Sequence, residues 1–326
     1  MFIKLFKSNH QILLSFLFVI GAIIWIYSFV NPVKPPVPKD TELLYKFLFH
    51  IIINLNPIIS VLVAFGLLFI QSIVLNNLVI NHSLNDKNTF LPSLIYFVLM
   101  SILPQYCTFN PVLISNLVIL LCLNTILKIY LKEEPYTAIF NISFFIAVLS
   151  LFYNPAVFFI LFVWLSFFIY RLFKWREWFI SIIGFVVPYI FIAFYFFWIG
   201  DLVFMRKFLY IFNSFSIILN FKNPHIITLI VVEIFILFST FKYLNYTKDK
   251  IVMLRKFAGI AIALYFISVL PLYSAKENWL NHLLSTFLPA SIFISYLFIK
   301  IKKNWISEIV FFLFILIIII NRITTF

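Results

Sequence analysis

The few charges of this chain are spaced so that eleven apolar stretches lie between short polar breaks. Each stretch is close to the roughly 20 residues that an α-helix needs to cross a ~30 Å hydrocarbon core. Soluble folds do not tolerate this pattern: 64% of the chain is hydrophobic and 11% is charged, against about 25% charged in soluble domains. The expected fold is all-α, a polytopic membrane helix bundle of about eleven transmembrane helices. It forms one integral membrane domain over residues 1–326, with no length left for a soluble domain.

The spans are expected at 11–30, 47–75, 90–106, 111–131, 136–154, 155–173, 178–199, 224–243, 254–274, 279–301 and 305–321. Asn31-Pro32, Asn110-Pro111, Glu134-Pro135, Asn154-Pro155 and Asn223-Pro224 punctuate the breaks, as expected of residues that end or start helices. Asn56-Pro57 and Pro188 fall inside spans, where neighbouring helices tolerate a kink. The first apolar run ends in Asn-Pro rather than a small-residue cleavage site, so it reads as a retained helix.

Orientation follows from the basic residues. With the N-terminus in the cytoplasm, 16 of the 24 Lys and Arg fall on the cytoplasmic side, and the bias recurs at nearly every turn. Trp175, Trp178, Trp198, Trp279 and Trp305 lie at span edges, as interfacial aromatics do. The net charge of +13 is scattered singly at helix ends, which suits lipid headgroups and not nucleic acid. The external loop 31–46 is rich in Pro, and 201–220 reads as an interfacial helix on the outer surface. Localisation in a bacterial inner (cytoplasmic) membrane is expected. The 45 Phe fit an AT-rich genome as well as any specific aromatic role.

Soluble-enzyme motifs are missing. Five Gly in the whole chain leave no Gly-rich phosphate loop, and there is no GxSxG, HExxH or EF-hand pattern. Cys107 and Cys122 lack disulfide or metal-ligand spacing. Glu233 is the acidic residue in the middle of a span (LIVVEIFIL), where a charge costs at least ~2.5–3.5 kcal/mol on insertion scales. It is either a proton or cation site or a neutral carboxyl bonded to another helix. Asp40 and Glu42 share the first external loop, where a carboxylate can act as a general base or help to hold a divalent cation. They can equally be solvated charges offsetting Lys39 and Lys46, and Asp201 has the same two readings. No resident cofactor or metal is expected otherwise. In 274–297, Lys276, Asn281 and His282 can receive a lipid phosphate at the outer end of a span. Alternatively, Lys276 is an interfacial charge offset by Glu277.

Three stretches carry a resemblance. NDKNTFLPSLIYFVLMSILPQ (85–105), NISFFIAVLSLFYNPAVFFILFVWLSFFIYRLFKWREW (141–178) and AKENWLNHLLSTFLPASIFIS (275–295) are similar, in order and hydrophobic pattern, to regions of the GT-C superfamily. These are polytopic glycosyltransferases that use polyprenyl-phosphate-linked sugars. The resemblance implies a GT-C-like bundle transferring a sugar at the outer face. It implies Asp40 as base, with Glu42 as a substitute, and Lys276, with His282, on the lipid phosphate. The chain departs from the family in its short first loop and missing paired acids. It also looks like Phe-rich bacterial inner-membrane families. Two other functions stay open: a non-catalytic subunit or scaffold of an envelope, secretion or motility complex with membrane-protein partners, and a transporter or flippase with a midplane cavity at Glu233.

Overall fold

The computed structural model describes residues 2–37, 42–53, 57–130, 132–200, 225–274 and 279–323. Among them every regular element is helical. Seven helical stretches are long and apolar enough to cross a membrane: Ile12–Val30, Pro57–Asn81, Pro111–Ile129, Trp175–Ile199, Ile226–Thr247, Val252–Tyr273 and Trp305–Arg322. Four shorter apolar stretches, Leu91–Met100, Tyr136–Phe152, Asn154–Tyr170 and Phe287–Lys300, lie where the remaining four spans are expected.

The helices are α1 (Phe2–Phe6), α2 (Ile12–Val30), α3 (Leu43–Ile53), α4 (Pro57–Asn81), α5 (Leu91–Met100), α6 (Pro111–Ile129) and α7 (Tyr136–Phe152). They continue as α8 (Phe159–Tyr170), α9 (Trp175–Ile199), α10 (Ile226–Thr247), α11 (Val252–Val269), α12 (Trp279–His282), α13 (Phe287–Lys300) and α14 (Asn304–Ile323). Within the expected span over 47–75 lie α3, described to Ile53, and α4, described from Pro57, with residues 54–56 outside the described residues. The last expected turn of the 90–106 span is not α-helical: α5 ends at Met100 and a 3-10 turn follows at Pro104–Tyr106. By contrast, α9 runs on through Pro188. The expected interfacial helix at 201–220 lies outside the described residues.

Two short helices make the centre. Every residue of α5 is buried, and α13, which packs on it, exposes little more. The irregular chain after α5 is buried too, which a membrane interior permits only where protein supplies the missing hydrogen bonds. It does so here: Asn321 Nδ2 donates to the Ile102 carbonyl at 3.1 Å, and Ser60 Oγ accepts from the Phe109 N–H at 3.2 Å. The Asn110 side chain caps α6 by accepting from the Leu113 N–H at 2.9 Å.

Close packing uses small residues, as helix contacts in lipid do. A Cβ on Gly184 of α9 would lie 2.7 Å from the Phe140 carbonyl oxygen of α7, and Ser143 and Ser181 hydrogen bond across the same seam at 2.9 Å. Gly21 of α2 lies against the Phe97 ring of α5 in the same way.

Contacts at the two ends of the bundle show how the chain runs. At the near end, which holds residues 2–10, the Phe90 N–H reaches the Phe6 carbonyl at 3.0 Å and Asn85 Nδ2 reaches Ser295 Oγ at 2.9 Å. Loop 82–90 is clasped there by Asp86, which pairs with Lys250 at 2.8 Å and Lys300 at 2.7 Å and accepts from the Tyr246 hydroxyl. At the far end, Arg322 donates to Ser28 Oγ and to Cys107 Sγ, and Tyr106 donates to the Leu280 carbonyl at 2.7 Å.

Candidate functional site

The far end gathers titratable side chains from distant parts of the chain. Glu42 sits immediately before α3, whose first turn begins with the Lys46 N–H bonding the Glu42 carbonyl at 2.8 Å. Tyr153 lies between α7 and the 3-10 turn Asn154–Phe158, in extended conformation, because Asn154-Pro155 ends the helix. His282 closes α12, just before the 3-10 turn Leu283–Ser285.

Glu42 is 5% exposed and His282 6%. The Tyr153 hydroxyl and His282 Nδ1 hydrogen bond, and the two rings stack with centroids 5.5 Å apart. The Glu42 carboxylate lies within electrostatic reach of both Tyr153 and Tyr45. Tyr45 is anchored by donating to the Pro36 carbonyl at 2.9 Å and stacking on Phe109. Burial, and then the Glu42 carboxylate, push the Tyr45 phenol up, so it stays a hydrogen-bond donor at neutral pH. Tyr153 thus hydrogen bonds His282 and lies within electrostatic reach of Glu42.

Glu233 is placed elsewhere, on α10 and partly buried. Its Oε2 accepts from the Tyr265 hydroxyl of α11 at 2.9 Å, and its Oε1 lies 3.2 Å from Thr286 Oγ1, next to α13. Tyr106, whose hydroxyl is committed to the Leu280 carbonyl, lies within electrostatic reach of Glu233. The stretch 280–286 therefore links the two carboxylate neighbourhoods. His282 faces the Tyr153 side, and Thr286, one helical turn later, faces Glu233.

Asp40, Asp201, Lys276 and Glu277 lie outside the described residues. Among the described residues no group of three or more His, Cys, Asp and Glu is arranged to hold a metal ion. Chemically, this end offers a carboxylate that can accept a proton, and an imidazole, hydrogen-bonded to a tyrosine, that can donate one.

Two features of this end are not apparent from sequence. Tyr153 has no local motif. Arg322 looks like an ordinary basic residue after an apolar run, yet it is buried, with its guanidinium between Ser28, Cys107 and the Tyr27 ring. Beside it, His225 Nδ1 and Asn321 Oδ1 are 3.3 Å apart. Compared with protein-family models, curated proteins and solved structures, the chain matches none.

Proposed function

We propose that the chain crosses a bacterial inner membrane eleven times, with the near end cytoplasmic. At the far, outer face it transfers a sugar from a polyprenyl-phosphate carrier to a hydroxyl acceptor. The observation that carries this reading is that Tyr153 hydrogen bonds His282 and lies within electrostatic reach of Glu42, which brings the first-loop acid and the late-loop histidine toward one place. The short helices fit the same topology: the seven long spans and the four shorter apolar helices add up to the eleven crossings.

In this reading a first-loop carboxylate, Asp40 or Glu42, takes the proton of the acceptor hydroxyl. The hydroxyl oxygen attacks the anomeric carbon, the bond from that carbon to the phosphate oxygen breaks, and the phosphate leaves with the electron pair. The configuration at the anomeric carbon inverts. Lys276 and His282 hold the negative charge on the departing phosphate. Tyr153 orients His282 by fixing one ring nitrogen.

A second reading, a non-catalytic membrane subunit, rests on the depth of Glu42 and His282, both below a tenth exposed. Buried groups that satisfy one another serve equally to lock two loops together.

Native mass spectrometry of the protein in mild detergent separates the two. A polyprenyl-phosphate or its sugar adduct on the wild type, lost in Lys276→Ala and His282→Ala and retained in Glu42→Gln, supports transfer. Retention of bulk phospholipid alone, equal in all four proteins, supports the structural role and rejects the catalytic one.

A further inference from the structure

A cleft of about 590 Å³ opens at the near end between the start of α2 and the last turns of α4. Its rim carries three exposed amides, Asn9, Gln11 and Asn77. Its interior is apolar, formed by Leu14, Ile73 and Ile80, with buried Phe90 behind them. The apolar lining does not stop at the cleft. Ile70, one turn deeper on the same face of α4, and Phe18, one turn deeper on α2, are 51% and 50% exposed. A strip of accessible hydrocarbon thus runs from the amide rim toward the middle of the bundle.

Two lysines lie close by, outside the cleft lining, and the Lys7 ammonium already donates to the Ile301 carbonyl at 3.4 Å. Lys7 precedes Asn9 by two residues, and Lys87 precedes Phe90 by three. The Phe90 N–H bonds the Phe6 and Ser8 carbonyls, which holds these two segments side by side. Lys7 and Lys87 are close enough to repel: burial, and then the Lys87 charge, hold the Lys7 ammonium below its ordinary value. An anion set between two such ammonium groups relieves that repulsion.

We propose that this cleft is a binding site for an anionic phospholipid of the cytoplasmic leaflet. The phosphate sits by Lys7 and Lys87. The glycerol and ester oxygens meet the amides of Asn9, Gln11 and Asn77. One acyl chain lies along Ile73, Ile70 and Phe18. A water-soluble anion would use the lysines and amides but leave the hydrocarbon strip without a partner, so the lipid accounts for more of the site. The site is on the opposite face from the proposed transfer chemistry and does not depend on it.

The test uses the purified full-length chain, stripped of native lipid and incubated with phosphatidylglycerol or phosphatidylcholine at equal concentration, then examined by native mass spectrometry. Each lysine near an anionic headgroup adds about fivefold to binding. Wild type is therefore expected to hold phosphatidylglycerol at least about fivefold better than phosphatidylcholine. Asn77→Trp, which fills the cleft, is expected to lose the adduct, while Asn77→Ala, which leaves the space open, keeps it. Lys7→Gln with Lys87→Gln is expected to reduce phosphatidylglycerol binding to the phosphatidylcholine level, and reads the same site if Asn77→Trp fails to fold. Equal binding of the two lipids by wild type, or an adduct unchanged in both Asn77→Trp and the lysine double variant, overturns the proposal.

Discussion

Glu233 competes with the Leu283 carbonyl for the one hydroxyl hydrogen of Thr286. Thr286 Oγ1 lies 3.2 Å from Glu233 Oε1 and 2.7 Å from the Leu283 carbonyl, and both neighbours are acceptors if the carboxyl is ionised. A hydroxyl carries a single proton. A Glu233 carboxyl that keeps its own proton removes the conflict, since it then donates to Thr286 while still accepting from Tyr265.

Glutamine reproduces that pattern, with an amide N–H toward Thr286 and a carbonyl oxygen toward Tyr265. Glu233→Gln is therefore expected to melt within about a degree or two of wild type. Glu233→Leu leaves the Tyr265 hydroxyl facing hydrocarbon, while Thr286 keeps the Leu283 carbonyl, and is expected to cost about 1–3 kcal/mol. Thermal denaturation in detergent, followed by circular dichroism, ranks the three proteins. If Gln is as damaging as Leu, Glu233 works as a charge and not as a hydrogen-bond bridge.

Asp86 sets the pH dependence of the near end. Burial opposes its ionisation, but hydrogen bonds from Lys250, Lys300 and Tyr246 outweigh it, and the carboxyl is held at about 2, below its ordinary 3.8. A carboxylate with a depressed folded-state pKa stabilises the fold fully above the ordinary value. That stabilisation fades as pH falls from about 4 through about 2. The melting temperature of wild type is expected to drop across this window. Asp86→Asn is expected to start lower at pH 5 and to lose part of that slope. Parallel pH curves for the two proteins would show that the clasp contributes nothing.

Gly184 and Gly66 make a matched pair. A methyl group on Gly184 meets a backbone oxygen of α7, which cannot swing aside, whereas around Gly66 there is open space. Gly184→Ala is expected to destabilise the protein and loosen α9 from α7. Gly66→Ala is expected to be neutral or to stabilise by up to about 1 kcal/mol, the helix-propensity difference. Cysteine cross-linking between Ser143→Cys and Ser181→Cys reads the seam directly: the yield should fall in the Gly184→Ala background and hold in Gly66→Ala.

The helices were legible because lipid imposes a length and a composition on anything that crosses it, so apolar runs and Asn-Pro breaks mark α2 and α6 to within about two residues. The shortness of α5 was not, because its irregular continuation depends on Asn321 and Ser60 from distant helices. Glu233 stood out as a lone acid in hydrocarbon, but its partners did not, because Tyr265 and Thr286 reach it only through packing. Tyr153 is one of 16 tyrosines, and nothing in its neighbourhood marks it as the partner of His282. A basic residue after an apolar run normally snorkels outward, but α14 turns Arg322 inward to Ser28 and Cys107.

Asn76 offers the most direct measure of what the interior polar groups are for. α4 and α6 run in parallel register: Gln71 bonds Leu113 at 2.7 Å and His82 bonds Asn124 at 2.9 Å, and each pair is 42 positions apart. Asn76 lies between these two rungs, is 1% exposed, and neither atom of its amide has a hydrogen-bond partner. An unpaired buried donor or acceptor costs about 1–3 kcal/mol, and an apolar side chain of similar shape removes that cost. Asn76→Leu is therefore expected to raise the melting temperature without disturbing either rung. The same substitution distinguishes a dry core from a hydrated one, since an amide that binds water or a permeating ion would be missed. A lower melting temperature in Asn76→Leu would mean that the space between α4, α5 and α6 is wet, and would bring the transport reading of this bundle back into play.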